Sequence, residues 1–283
     1  MRSFSVPEQE PFPAADRNSE PWRWILISLL PGILLASLLW HLSPPGLLGK
    51  ADAIALAFCH RMETHSFRLD DRPLPFCARC TGTFLGALAG VLTLLLFGRG
   101  RAARWPTRGP GIVLGSLALL WAADGANSFL PLFPRIPQLY SPSNAFRLVS
   151  GLGFGMALAA FYLPALAQSF WREPRDMPSL GSWADLIAYL AALPVLGLLV
   201  LCGNPLLLYP LALASALSAL VLLAGIYAVG VAIVTKRENR AGTWAEVVPL
   251  LLAGGTLAML QIAAVDAFRL FLFGSWSGFP GLS

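Results

Sequence analysis

The chain has 283 residues, of which 56% are hydrophobic and 12% are charged, and its formal net charge is +5. Soluble domains carry about twice this charged fraction, so the composition excludes an ordinary soluble protein and favours a membrane protein. The sequence has no alternating ten-residue pattern of the β-barrel kind, and its basic residues lie in short loops without interleaved aromatics, which argues against nucleic acid as a partner. The lipid bilayer is therefore the expected partner.

Long uncharged apolar runs predict an all-α fold, a polytopic bundle of about seven transmembrane helices, because a hydrocarbon core about 30 Å thick needs about 20 apolar residues per helix. A polar tail over residues 1–21 precedes the first run and is predicted to be disordered. The predicted spans cover residues 22–42, 81–98, 111–130, 144–170, 185–203, 207–234 and 246–273.

The chain divides into two predicted parts after the tail. Residues 22–170 form a membrane core with the first four spans, and residues 171–283 form a C-terminal extension with the last three. The core contains a long connector over residues 43–80, within which residues 47–58 predict a short amphipathic helix at the membrane interface. In the second span, glycines recur every fourth residue, a spacing that lets another helix approach closely; these are Gly82, Gly86 and Gly90.

Basic residues predict the orientation. They crowd the loops over residues 99–108, 172–175 and 236–240, which share a side with the N-terminus if the spans alternate. The positive-inside rule makes that side cytoplasmic, so the N-terminus lies inside and the protein belongs to the cytoplasmic membrane. The connector over residues 43–80 then lies outside, although it also carries five Lys and Arg residues.

The connector holds the residues best suited to metal chemistry. Cys59-His60 is followed by Cys77-Ala78-Arg79-Cys80, and a Cys-x-x-Cys spacing lets two sulfurs share a metal or a disulfide. Together Cys59, His60, Cys77 and Cys80 form a candidate Cys₃His set for zinc or another transition metal, with His65 as a spare ligand. An oxidising compartment would instead favour disulfides, which Cys202 could join, and a reactive thiol is a third reading.

These residues also carry a resemblance to a known family. Cys59-His60-Arg61, Ser66-Phe67 and the stretch over residues 74–82, Leu-Pro-Phe-Cys-Ala-Arg-Cys-Thr-Gly, resemble the signature of an uncharacterised prokaryotic membrane family, domain of unknown function 2085. The match departs at His65, where the family usually has Arg. Asp124-Gly125, Arg147 and Gly151 extend the similarity, which covers roughly residues 50–160. The resemblance implies a membrane protein, and it implies no particular reaction.

Charged residues inside predicted spans form a second group of candidates. An ionised side chain in the bilayer costs roughly 3 kcal/mol or more unless it has a partner or water. Asp124 lies near one end of the third span, and Arg147 lies in the adjoining part of the fourth, so the two can reach one another. Asp266 and Arg269 repeat the pairing within the seventh span. The predicted polar network also includes Asn127.

The leading functional hypothesis is an outward-facing Cys/His metal or redox site beside this intramembrane Asp/Arg network. Two alternatives remain open. The network could be the substrate or proton path of a transporter or channel-like protein, with the cysteines bracing its mouth. The protein could also be a membrane scaffold without chemistry, and the sequence leaves open whether it is an enzyme.

Overall fold

The computed structural model describes residues 21–69, 72–130 and 137–276, and the tail predicted to be disordered lies outside them apart from Pro21. Within the described residues the chain forms α-helices joined by short loops, as predicted. They are α1 (Pro21–Leu42), α2 (Gly46–Phe58), α3 (Ala78–Leu96), α4 (Arg108–Phe129), α5 (Asn144–Phe170), α6 (Trp183–Leu190), α7 (Ala192–Leu201), α8 (Leu208–Val234) and α9 (Trp244–Phe273).

Six helical segments of the described chain are long and apolar enough to cross a membrane: α3, α4, α5, α8, α9 and the continuous pair α6–α7 over Trp183–Leu201. The fold is therefore a polytopic transmembrane bundle, as the apolar runs predicted. The stretch Leu29–Leu42 of α1 passes the same test only together with α2, and the two meet at 109°. Pro44 and Pro45 separate them, because proline supplies no backbone N–H to continue a helix.

The predicted basic loops meet at one end of the bundle, which we call the basic end (residues 99–108, 171–178 and 236–242). There β3 (Ala102–Arg104) pairs in parallel with β4 (Arg175–Pro178). A single bridge joins Trp171 to Ala241, and the Arg101 guanidinium donates to the carbonyl of Gly242 at 3.0 Å. The three loops therefore share a side of the molecule.

The opposite end of α3 carries the connector, and we call this the cysteine end (residues 59–80). After α2 the chain makes a short 3₁₀ turn (Glu63–His65) and a hairpin of β1 (Arg68–Leu69) and β2 (Arg72–Pro73). Leu69 and Phe76 are buried and anchor the connector in the core. This hairpin returns the chain to the start of α3.

The most extensively packed helix pair of the described chain is α3 with α5. A Cβ on Gly82 or Gly86 of α3 would collide with the backbone of Leu148 or Leu152 of α5, and one on Gly151 would collide with the carbonyl of Arg79. The glycine spacing in α3 therefore marks a close helix contact, as predicted. This contact places the first turn of α3 against the first turns of α5.

The helix predicted at the membrane interface is α2 (Gly46–Phe58). It packs against α8 and α9, and Ala51, Ala55 and Leu56 are buried. The first part of the connector therefore lies close to the C-terminal half of the chain.

Candidate metal centre and buried charge network

Three cysteines converge at the cysteine end. The sulfurs of Cys59, Cys77 and Cys80 all lie within 4.8 Å of one another, and we call this group the cysteine cluster. Cys59 follows the last residue of α2, Cys77 precedes α3, and Cys80 lies in the first turn of α3. Cys59 and Cys77 are each only 4% exposed. The hairpin thus brings Cys59 together with Cys77 and Cys80, which are 18 and 21 positions further along the chain.

Cys59 is the centre of the hydrogen bonding in the cluster. Its sulfur accepts from the backbone N–H of Cys77 at 3.3 Å and from that of Arg61 at 3.5 Å. Hydrogen bonds from the thiols of Cys77 and Cys80 hold the pKa of Cys59 well below its usual range. The same interaction with Cys59 raises the pKa of Cys77 to about 12. Within the cluster, negative charge is therefore favoured on Cys59 over Cys77.

The two histidines lie beside the cluster. Neither His60 nor His65 places a ring nitrogen within 4.8 Å of all three sulfurs, so the described group contains cysteines alone. The Nδ1 atom of His60 accepts from the backbone N–H of Met62 at 3.1 Å, and the His60 and His65 ring centroids are 5.5 Å apart. The predicted Cys₃His set is thus present as three sulfurs with an adjacent imidazole pair.

His65 is engaged with Arg147. Its Nε2 atom lies 3.2 Å from Nη2 of Arg147. Burial lowers the pKa of His65 to about 4, and the charge of Arg147 adds to this effect. The imidazole is therefore neutral at pH 7 and accepts the hydrogen bond. Arg147 also donates to the Asn144 side chain at 2.9 Å.

Cys202 is separate from the cluster. It caps the C-terminus of α7, it is exposed, and its thiol donates to the carbonyl of Leu199 at 3.2 Å. All four cysteines are free in the structure. Cys202, which could have joined a disulfide with these cysteines, is thus not among the sulfurs that converge.

Asp124 pairs with Arg79, and the pairing considered with Arg147 is wrong. Both Nε (2.9 Å) and Nη2 (2.5 Å) of Arg79 donate to Oδ2 of Asp124, which is 0% exposed. Nη2 also donates to Oγ of Ser128 at 2.8 Å. The hydroxyl of Tyr140 donates to the other carboxylate oxygen, Oδ1, at 2.7 Å. The carboxylate is therefore fully hydrogen-bonded.

The physical reason for this correction is helix packing. α3 and α5 touch through glycines, and α5 also packs against α4. Arg79 extends from the first turn of α3 and reaches Asp124 of α4. Arg147 is meanwhile held by Asn144 and His65. Arg79 was not a candidate from the charge pattern, since it lies at a predicted span end. Its place inside the Cys-x-Arg-Cys stretch was the available signal.

Asn127 supports the same network. Its side-chain oxygen accepts from the backbone N–H of Leu139 at 2.8 Å, and its amide donates to the carbonyl of Tyr140 at 2.9 Å. Asn127 is buried. These two bonds fix the segment that delivers the Tyr140 hydroxyl to Asp124.

Asp266 and Arg269 do not form the hydrogen-bonded pair that was considered within the seventh span. Arg269 reaches across to the connector, where its Nη1 atom donates to the carbonyls of Leu56 and Cys59, the latter at 2.8 Å. Asp266 is 2% exposed, and neither of its oxygens has a hydrogen-bond partner among the described residues. α9 is thereby tied to the backbone of the cysteine cluster.

The site and the fold define a polytopic membrane protein with a buried cysteine cluster. Residues 59–161 match a known family, described as "Predicted membrane protein (DUF2085)". The match begins at Cys59 and includes Arg79, Asp124 and Arg147, so the resemblance drawn from the sequence motifs is confirmed over this part of the chain. No curated protein and no solved structure matches the chain.

Proposed function

We propose that this membrane protein binds a thiophilic transition metal, zinc foremost, through Cys59, Cys77 and Cys80, and that the fourth coordination position is open. The observation that carries the proposal is the convergence of three sulfurs within 4.8 Å. Zinc–sulfur bonds of about 2.3 Å in a tetrahedron place sulfurs about 3.8 Å apart, so a small contraction of the cluster would complete the site. Thiolates also suit Cu(I).

The surroundings of the sulfurs favour a metal over a disulfide. A disulfide would use two sulfurs and leave the third buried beside it. A cysteine that binds a metal does so as a thiolate. Two backbone N–H groups donate to the Cys59 sulfur and stabilise negative charge on it. Cys77 and Cys80 lie at the N-terminus of α3, where the helix dipole stabilises negative charge. These features match the needs of a thiolate donor set.

The charge balance of the cysteine end supports the same proposal. Arg79 and Asp124 neutralise one another. Arg147 is 7% exposed, and among the described residues no carboxylate lies within ion-pair distance of it. Three thiolates with one divalent ion carry a net charge of −1. This charge would compensate the positive charge of Arg147, which lies on the other side of His60 and His65.

The position of the basic end supports an outward-facing site. Loops rich in Lys and Arg remain in the cytoplasm. The cysteine cluster lies at the other end of α3, whose 19 residues span about 28 Å. On this assignment the metal would face the non-cytoplasmic side of the cytoplasmic membrane.

An open coordination position defines what such a site would do. Zinc held by four protein ligands is structural, whereas three protein ligands leave a position for water or a ligand. The adjacent His60–His65 pair supplies imidazoles for proton transfer or for a fourth ligand. The proposed role is therefore metal-dependent catalysis or metal handling at the membrane surface.

The test is elemental analysis of the purified protein combined with a count of free thiols before and after reduction. We expect about one metal ion per chain in the wild type and in Cys202→Ala, the matched control outside the cluster. Cys59→Ala and Cys77→Ala should each lose the metal. A metal-free wild type in which two of the three clustered thiols are oxidised would contradict the proposal and favour a disulfide.

The transport alternative loses one of its supports. Asp124 is hydrogen-bonded by Arg79 and Tyr140, which suits an architectural ion pair between α3 and α4. If the protein is a transporter, a carboxyl other than Asp124 must bind the substrate or proton.

A further inference from the structure

Asp266 differs from the other buried carboxylate of the bundle. Asp124 receives hydrogen bonds on both oxygens, whereas neither oxygen of Asp266 has a partner among the described residues. Both side chains are almost completely shielded from solvent. Asp266 lies seven residues before the end of α9 at Phe273, which places it about 10 Å along the helix from that end.

The groups that face Asp266 leave it without a donor. On α9 itself, the Nη1 atom of Arg269 donates to the carbonyls of Leu56 and Cys59. In the loop after α2, Arg61 donates to Oδ1 of Asp52 at 2.8 Å and to the carbonyl of Trp276 at 2.9 Å. Their positive charges favour an ionised carboxyl, but the hydrogen bonds from Arg61 and from Nη1 of Arg269 go to other acceptors.

α2 also packs against α9 and carries Lys50 and Asp52: Lys50 donates to the carbonyls of Ser43 and Pro44, and Asp52 accepts from Arg61 and Arg72. The other helices around α9 carry few charges. In α8, the helix most extensively packed against α9, the ionisable side chains are Tyr209 and Tyr227 only, and the Tyr227 hydroxyl donates to Gln261. In the part of α1 whose side chains are described, His41 is the ionisable residue. The carbonyls of Leu56 and Cys59 are already occupied by Arg269.

A buried carboxylate without hydrogen-bond donors is unstable as an anion. Burying an ionised carboxylate without partners is far costlier than burying the neutral acid, so such groups take up a proton. A metal cation would need several oxygen ligands, and the nearby Arg269 and Arg61 would repel it. The chemistry of the site therefore selects the proton as its ligand.

We propose that Asp266 is a proton-binding site of the membrane bundle. The proposal is independent of metal in the cysteine cluster. It assigns the two buried carboxyls different roles: Asp124 is an ionised architectural partner of Arg79, and Asp266 is the group that gains and loses a proton. A proton path through the bundle would therefore use α9 and not α4.

The test is infrared spectroscopy of the purified full chain, in which a protonated carboxyl has a carbonyl band distinct from that of a carboxylate. At neutral pH we expect a buried protonated-acid band in the wild type that is absent from Asp266→Asn. The same band should persist in Asp124→Asn. A spectrum without such a band, or a band that survives Asp266→Asn, would overturn the proposal.

Thermal unfolding provides a second and separate readout. Asn resembles the neutral acid in shape, so Asp266→Asn should unfold at the wild-type temperature. Asp124→Asn removes the charge that Arg79 needs and should unfold at a lower temperature. Equal destabilisation by the two substitutions would show that Asp266 is held as an anion, and the proposal would fail.

Discussion

Arg79 links the cysteine motif to the membrane-embedded carboxylate. It lies between Cys77 and Cys80 in sequence, and its guanidinium donates to Asp124 and Ser128 of α4. A movement of the first turn of α3 would therefore displace this ion pair together with two of the three sulfurs. The family match covers both Arg79 and Asp124, which is consistent with one connected unit.

Removing this guanidinium should be costly. Arg79→Gln leaves Asp124 buried and uncompensated, and losing one member of a buried pair costs about 3–5 kcal/mol. The measurement is the free energy or temperature of unfolding in detergent. Arg104→Gln is the matched control, since its pair with Asp176 is exposed and such pairs contribute about 0–1 kcal/mol.

The double variant Arg79→Met with Asp124→Leu distinguishes a lost pair from a lost contact. Because it removes both charges, it should recover most of the stability that Arg79→Gln loses. A double variant as unstable as the single one would show that the ion pair is not the cause.

His65 should make stability depend on pH. Its pKa falls from about 6.5 in the unfolded chain to about 4 in the fold. Between these values the unfolded chain binds more protons, so stability is complete above about pH 6.5 and is lost as the pH falls towards 4. His65→Gln, which can accept from Arg147 without titrating, should lose less stability on acidification. The comparison is the unfolding temperature at pH 7 and pH 5.

The control for this substitution is His41→Gln at the exposed end of α1. It should follow the wild type at both pH values. If His65→Gln and the wild type lose the same stability between pH 7 and pH 5, the His65 imidazole does not determine the pH dependence of stability.

At the scale of elements, the α3–α5 contact positions the site. Glycines on both helices let the backbones touch, and this contact sets Arg79 of α3 and Arg147 of α5 side by side at the cysteine end. The connector then closes over them, with Arg269 of α9 bonded to the carbonyl of Cys59. The cluster is thus held by α2, α3 and α9 together.

A larger side chain in this contact should separate the helices. In Gly86→Leu the new side chain would meet the backbone of Leu152, and overpacking of this kind costs about 1–3 kcal/mol or more. Gly115→Leu on α4 is the matched control, because the space around Gly115 is open. Thermal unfolding of the two purified variants measures the difference. Similar unfolding temperatures would contradict the close packing.

At the scale of the whole molecule, the two ends of the bundle differ in charge and chemistry. The basic end contains two small strands and a bridge that hold three Arg- and Lys-containing loops together. The cysteine end contains the cluster, the histidine pair and both buried carboxyls. This polarity agrees with a fixed orientation in the membrane.

Labelling of intact cells with a membrane-impermeant maleimide tests the orientation. The exposed thiol of Cys202 follows α7 at the cysteine end, so it should react from outside. In a Cys202→Ser background, Glu238→Cys at the exposed basic end should react only after the cells are opened. The reverse pattern would place the cysteine cluster in the cytoplasm.

The sequence by itself determined the membrane class, the helix positions and the close-packing glycines. Each of these depends on a local property: the length of an apolar run or a four-residue glycine spacing. The three cysteines were also identified by spacing. These predictions needed no knowledge of which helices are neighbours.

Only the tertiary structure decided how the polar side chains are paired. It assigned Arg79 to Asp124 and engaged His65 with Arg147. It also turned Arg269 towards the connector and left Asp266 without a donor among the described residues. Pairing depends on which helices touch and on how each is rotated about its axis. The residue spacing along a single span predicts neither the neighbours of a helix nor its rotation, because both result from side-chain contacts between distant segments.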